Sequence, residues 1–320
     1  IWIHSDRDIV GTGQILNPAG IYMEGYGEGI SLDAAGRVDF AGTIDISGYA
    51  TNLHVSAVDG VRLHDLDGAG GGIPSFGGGV EIESKGDVAI TGNFDQRAIG
   101  GTDGDLGGEG GGLRIVSSLG AIIVSGKVRA GATGIFGIGG EIHFHAATDI
   151  VVEEGALVSL AAGNNEGYGG NALLLAARDI SIRGDIDASG RNEGGDVEAE
   201  AGRHVVLDGR IDTSTPAGAD ETNGGSVALS AGSRGTGHLT LDGEIEANGG
   251  GCLYGSVYGG GGWIDLVGCD LTLGSGARIR SCGRSGGWIT LTARREMTIA
   301  GEIVAPNVGP PGPDGKISLV

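Results

Sequence analysis

The sequence predicts an all-β chain folded as a right-handed parallel β-helix (β-solenoid) of about ten coils. Three observations predict it. A motif recurs along the chain at a period near 29 residues, apolar residues inside each repeat alternate by two, and length varies at one point of the repeat only.

The repeat is cleanest at Gly169 to Gly190, GGNALLLAARDISIRGDIDASG. It returns as GGDVEAEAGRHVVLDGRIDTS from Gly194 and as GGWITLTARREMTIAGEIVA from Gly286. We take the apolar residue after the "D" as a pivot. Pivots fall at Ile9, Val38, Val61, Val88, Ile122, Ile150, Ile180, Val205, Leu239, Leu271 and Met297. From Ile9 to Met297 is 288 residues over ten intervals, a mean of about 29.

Each repeat holds three short strands. In the coil of Ile180 the alternating set is Ala172 and Leu174, then Ile180 and Ile182, then Ile186 and Ala188. Strands this short cannot form useful hairpins, so each pairs with its equivalent one coil on. The glycine four residues past the pivot (Gly42, Gly92, Gly126, Gly184, Gly209, Gly243, Gly301) marks a corner needing positive φ or no side chain. The aspartate before the pivot (Asp8, Asp87, Asp149, Asp179, Asp270) marks another, where a short carboxylate accepts backbone N–H groups. The variable stretches, such as GGTDGDLGGEGGG and NGGGCLYGSVYGGGG, read as glycine-rich excursions from a third corner. Helical 3,4 spacing never persists beyond a turn, and a propeller blade needs a longer repeat.

Ten intervals at about 4.8 Å make a rod roughly 50 Å long. The crossover rule for parallel strands sets its hand as right. Residues 1–320 read as one solenoid domain. Ile1 and Ile3 begin on a strand, Ile317 and Leu319 stop on one, and neither end shows a polar cap. The expectation is a segment of a longer rod or a unit stacking end to end. The absence of an initial methionine points to a processed segment, so the lack of a signal peptide says nothing about compartment.

Glycine accounts for 70 of 320 residues, against an average near 7%. The glycines lack collagen's three-residue period and prolines number only 7. With 20 basic against 41 acidic residues, the net charge of −21 argues against nucleic acid as a partner. No apolar run is long enough for a transmembrane helix.

The phrase DISIRGDIDASG, followed by GG and alternating apolar residues, resembles the repeats of large secreted bacterial β-helix proteins. The filamentous-haemagglutinin-like, two-partner-secreted adhesins are the nearest type. The resemblance spans Gly29 to Val320 and lies in pattern, with that family's amino-terminal secretion domain not visible. It implies an exported, elongated, surface-exposed protein, secreted or extracellular, and no particular ligand.

Five sets of residues bear on chemistry. Asp185, Asp187, Asp212, Glu244 and Glu246 with Arg210 should share one outward patch on adjacent third strands. Carboxylates so close would raise some of their own pKa values or recruit a cation, as in β-helix polysaccharide lyases and hydrolases; the plainer reading is a solvated acidic face. Asp103, Asp105 and Glu109 in one glycine-rich loop are oxygen ligands suited to calcium, the one cofactor considered. Trp263 and Trp288, at matching GGWI positions, should stack one rung apart on the outside. With Tyr254 and Tyr258 they could hold a sugar ring, or cover a strand edge. Cys252 and Cys282 fall in consecutive excursions at one corner and should form a disulfide, with Cys269 free. His143 and His145 share an outward face without a third ligand and read as surface histidines.

The leading expectation is a structural or adhesive, non-catalytic segment of a secreted bacterial surface protein, with itself or surface glycans as partners. The alternative is a carbohydrate-active β-helix enzyme using the acidic patch. Ice binding would need ranks of outward threonine, which are absent. All six tyrosines lie in the variable excursions, a concentration the repeat itself does not explain.

Overall fold

The computed structural model describes residues 1–16, 29–47, 51–71, 76–99, 107–134, 136–163, 166–216, 222–232, 235–252, 259–307 and 315–320. The chain is all-β and its strands pair in parallel, the arrangement of a parallel β-helix. The one helical turn among the described residues is a 3₁₀ turn at Gly250–Cys252.

A typical coil runs through three strands, Asn171–Ala176, Ile180–Ile182 and Asp185–Asp187. Each lies between its equivalents in the coils before and after. The pivots form one unbroken column, Ile9 against Val38, Val38 against Val61, and so on to Leu271 against Met297. A slip of one residue would turn every apolar side chain outward, which is why alternation sets the register so firmly. Ala172, Leu174, Ile180, Ile182, Ile186 and Ala188 are all buried, as are Ile30, Leu32, Val38, Phe40, Ile44 and Ile46. Where a coil has a neighbour on one side only, Ile3, Ile9 and Ile15, or Met297 and Ile303, are partly covered.

Three details add to the expectation. In Trp263–Leu273 and Trp288–Ile299 the first and second strands run on as one, and the register between them shifts at Gly268/Asp270. Gly268 and Cys269 are buried at that corner, with the Cys269 thiol against the Gly235 carbonyl, so the backbone stays extended through it.

The glycines four past the pivot do not adopt positive φ. They are glycine because a Cβ would meet the carbonyl oxygen of the coil below, that of Gly92 under Gly126, Gly184 under Gly209 and Gly209 under Gly243. Those same carbonyls accept the N–H groups of Lys127, Arg210 and Glu244 at 2.8, 3.3 and 2.9 Å. Close approach between rungs, not a left-handed turn, demands the missing side chain.

The described parts of the excursions pair with one another. Gly70–Gly71, Ala98–Ile99 and Ala132–Thr133 form a small parallel sheet of their own. Phe76, Glu109, Ile138, Tyr168, Glu193 and Asn223 bridge successively, one per coil. The third corner therefore carries a wing that stacks in step with the body.

Candidate functional site

The wing creates a groove. The coils along this stretch start with a glycine pair flanked by one residue on either side: Tyr168-Gly-Gly-Asn171, Glu193-Gly-Gly-Asp196, Asn223-Gly-Gly-Ser226. The residue before the pair stands in the wing, and the residue after it begins the first strand. Glycine is required between them on two sides. A Cβ on Gly195 would strike the Gly170 carbonyl, and one on Gly169 or Gly194 the carbonyl of Ala188 or Thr213. The pair thus forms a bare backbone floor between two walls of side chains.

This open groove has a volume of about 810 Å³ and runs along the rod from Tyr168 to Trp288. On the strand wall Asn171, Asp196, Ser226, Trp263 and Trp288 follow in register. The two tryptophans are 54% and 57% exposed and meet edge to face, with centroids 6.0 Å apart. Lys316 Nζ lies 5.7 Å from the Trp288 ring, a cation–π contact at the outer end. The Asp196 carboxylate accepts the Ser226 N–H at 3.2 Å and its hydroxyl at 2.5 Å. At the far end Tyr168 is 41% exposed, and its hydroxyl accepts from the Asn192 amide at 2.8 Å. Tyr254 and Tyr258 lie outside the described residues. The sequence carried the signal for this site in its repeated X-Gly-Gly-Z pattern, but its walls need the wing to exist.

The acidic patch comes together as the spacing implied, yet as a charge-laced face. Asp185 pairs with Arg210 and Arg210 with Glu244; Asp187 pairs with Asp212 and Asp212 with Glu246. The next rung adds Arg278 and Arg280, which sequence reasoning missed. Arg210 donates to Asp212 at 2.7 Å and to Glu246, with Glu244 at 3.6 Å. Burial opposes its charge, but the Glu246 hydrogen bond and the fields of Asp212, Glu246 and Glu244 hold its pKa above the ordinary arginine value. Of the two readings of this patch, crowded carboxylates or a solvated acidic face, the geometry shows one guanidinium interleaved among the acids that pairs with Asp212, Glu244 and Glu246.

The aspartates of this patch also build the corner. Asp187 Oδ1 accepts the Ser189 N–H at 3.1 Å and its hydroxyl at 2.6 Å, and Asp212 Oδ1 accepts the Ser214 N–H at 2.9 Å. Asp45 does the same for Ser47 at 2.8 Å. These are Asx turns, the reason for the recurrent Asp-x-Ser.

A second charged ladder runs along the pivot corner. The aspartate before each pivot accepts the N–H of its equivalent in the next coil, Asp8 from Arg37 at 3.0 Å, Asp149 from Asp179 and Asp179 from His204 at 3.2 Å. These carboxylates join rungs instead of closing a local turn. Arg178, Arg203 and Arg295 each grip the aspartate one coil back, Asp149, Asp179 and Asp270, through both Nε and Nη2. The Arg178 hydrogen bond holds Asp149 below the usual carboxylate range, and Arg295 does the same for Asp270.

Of the calcium candidates, Asp103 and Asp105 lie outside the described residues, and Glu109 sits in the wing ladder between Phe76 and Ile138. Among the described residues no group of three or more His, Cys, Asp and Glu is placed to hold a metal ion. His143 lies 3.9 Å from Glu141. Cys252 and Cys282 are joined as a disulfide, Cα atoms 5.5 Å apart, and Cys269 is free and buried. No helix of the described residues is long and apolar enough to cross a membrane. Comparison with models of known protein families, with curated proteins and with solved structures found no match for this chain.

Proposed function

We propose that this chain is an adhesive segment of a secreted, extracellular protein, a self-supporting rod that presents a glycan-binding groove and performs no catalysis. The observation that carries the reading is the groove itself: exposed tryptophans and a tyrosine share one trough with amide, hydroxyl and carboxylate groups. Apolar ring faces beside polar rims suit sugars, which have both. The acidic patch favours the non-catalytic reading, because Arg210 or the Asx corners engage Asp187, Asp212, Glu244 and Glu246. A disulfide between consecutive coils suits an oxidising compartment.

The test is a glycan array probed with the whole chain, with a reducing-end assay on any polysaccharide retained. Retention without new reducing ends is expected. Release of reducing ends would overturn the non-catalytic reading, and retention of no glycan would overturn the adhesive one.

A further inference from the structure

We infer that the groove takes an uncharged, linear 1,4-linked hexopyranose chain, lying parallel to the rod axis with successive rings in step with successive coils. The inference rests on the adhesive reading and adds ligand class, direction and length to it.

Direction follows from the walls. Asn171, Asp196, Ser226, Trp263 and Trp288 span four rung intervals, about 19 Å at the parallel-sheet spacing. The groove is open above a floor of backbone, so a chain can lie in it without threading. The rung spacing is close to the length of one ring in an extended 1,4-linked chain. A ligand with that repeat meets a wing and a strand residue at three successive coils (Tyr168 and Asn171, Glu193 and Asp196, Asn223 and Ser226) and then the two tryptophans, whereas one lying across the rod meets a single coil.

Class follows from charge and hydrogen bonding. Among the described residues lining the groove there is no lysine or arginine, while Glu193 and Asp196 are exposed in it. The chain as a whole carries −21. A polyuronate or sulfated glycan would meet repulsion along the trough, with Lys316 as a cation at its outer end only. Sugar hydroxyls both donate and accept, and the walls offer both: carboxylates that accept, amides of Asn171 and Asn223 that do either. Trp263 and Trp288, set edge to face, supply exposed apolar surface for the C–H patches of a sugar ring, at the end where Lys316 stands over Trp288.

The experiment is titration calorimetry of the whole chain with cellobiose, cellohexaose, N-acetylchitohexaose and oligogalacturonate. A neutral hexasaccharide should bind, and more tightly than the disaccharide. Trp263→Ala and Trp288→Ala should each weaken binding roughly tenfold. Both side chains are exposed, so the fold should survive, which circular dichroism would verify. Glu193→Lys supplies an independent arm: it should weaken nothing in the fold and raise affinity for oligogalacturonate. Equal affinity for di- and hexasaccharide, preference of the native chain for oligogalacturonate, or tryptophan variants that bind as the native chain does would each overturn the inference. If the array still retains the chain under those results, the adhesive reading stands and the groove assignment alone fails.

Discussion

The carbonyl oxygen of Ala188 accepts the N–H of Gly195 at 2.8 Å, closing the neck of an excursion that begins and ends there. The same bond recurs from Gly140 to Ala130, Gly170 to Leu160, Gly225 to Thr213 and Gly262 to Ala247, at 2.6 to 3.0 Å. It forms although the intervening chain, 189–194 in one coil and 248–261 in another, differs in length. A fixed neck lets length vary without disturbing the coil, because loop closure grows costly only slowly with length.

The neck makes a prediction about glycine. In Gly195→Ala the new methyl meets the Gly170 carbonyl, so stability should fall by roughly 1–3 kcal/mol. Gly112, at the strand-wall position of its own coil, has open space around it, and Gly112→Ala should change stability by less than about 0.5 kcal/mol. Urea unfolding of the two variants decides it; equal costs would mean that close approach is not what holds glycine at position 195.

Asp212→Ala should cost about 1 kcal/mol through the lost Ser214 hydrogen bond, with Asp212→Asn less harmful because an amide oxygen can still accept it. Calcium affinity and any action on polyuronates should be the same in native and variant chains. A native chain that binds calcium and loses it with Asp212 would restore the patch as a functional site.

Acid stability should depend on the pivot-corner ladder. Asp149 and Asp270 titrate below the ordinary aspartate value in the folded chain, held there first by Arg178 and Arg295. A depressed carboxyl contributes stability above the unfolded value of about 3.9, which is lost as pH falls through the lower folded value. Thermal unfolding at low salt between pH 7 and pH 2 should therefore show a steeper acid loss in the native chain than in Arg178→Gln. Parallel curves would remove the ladder from the account of stability.

The Cys252–Cys282 bond closes a segment with a sequence separation of 30 residues. Removing it with Cys252→Ser should lower stability by about 3–4 kcal/mol on the chain-entropy model. A thiol count on denatured, unreduced protein should give one, Cys269, and three after reduction. Three before reduction would show the bond absent.

Much of this molecule is legible in its sequence. Alternation by two in ALLLA, ISI and DIDA settled which side chains face inward, and the common phase of eleven pivots settled which strands pair, since burial punishes any slip. The alignment of Trp263 with Trp288 and of the acids around Arg210 followed from that register alone. Partners set by side-chain reach were not legible. Arg178 grips Asp149, 29 residues away, while standing next to Asp179, and nothing in sequence spacing selects one over the other. The repeat predicts length variation at the excursions only, yet two extra residues stand between Leu273 and Arg278, and the corner absorbs them so that Arg278 and Arg280 join the patch in register.

The sequence by itself determined the coil, its register and the places where glycine is indispensable, because these depend on local alternation and on one repeated distance between rungs. Only the tertiary structure decided that the glycine-rich excursions stack into a wing. Their pairing comes from two-residue strands and single bridges between segments of unequal length, and a period cannot encode those. The groove exists between that wing and the body, and so do the walls that hold Tyr168, Trp263 and Trp288 to one trough.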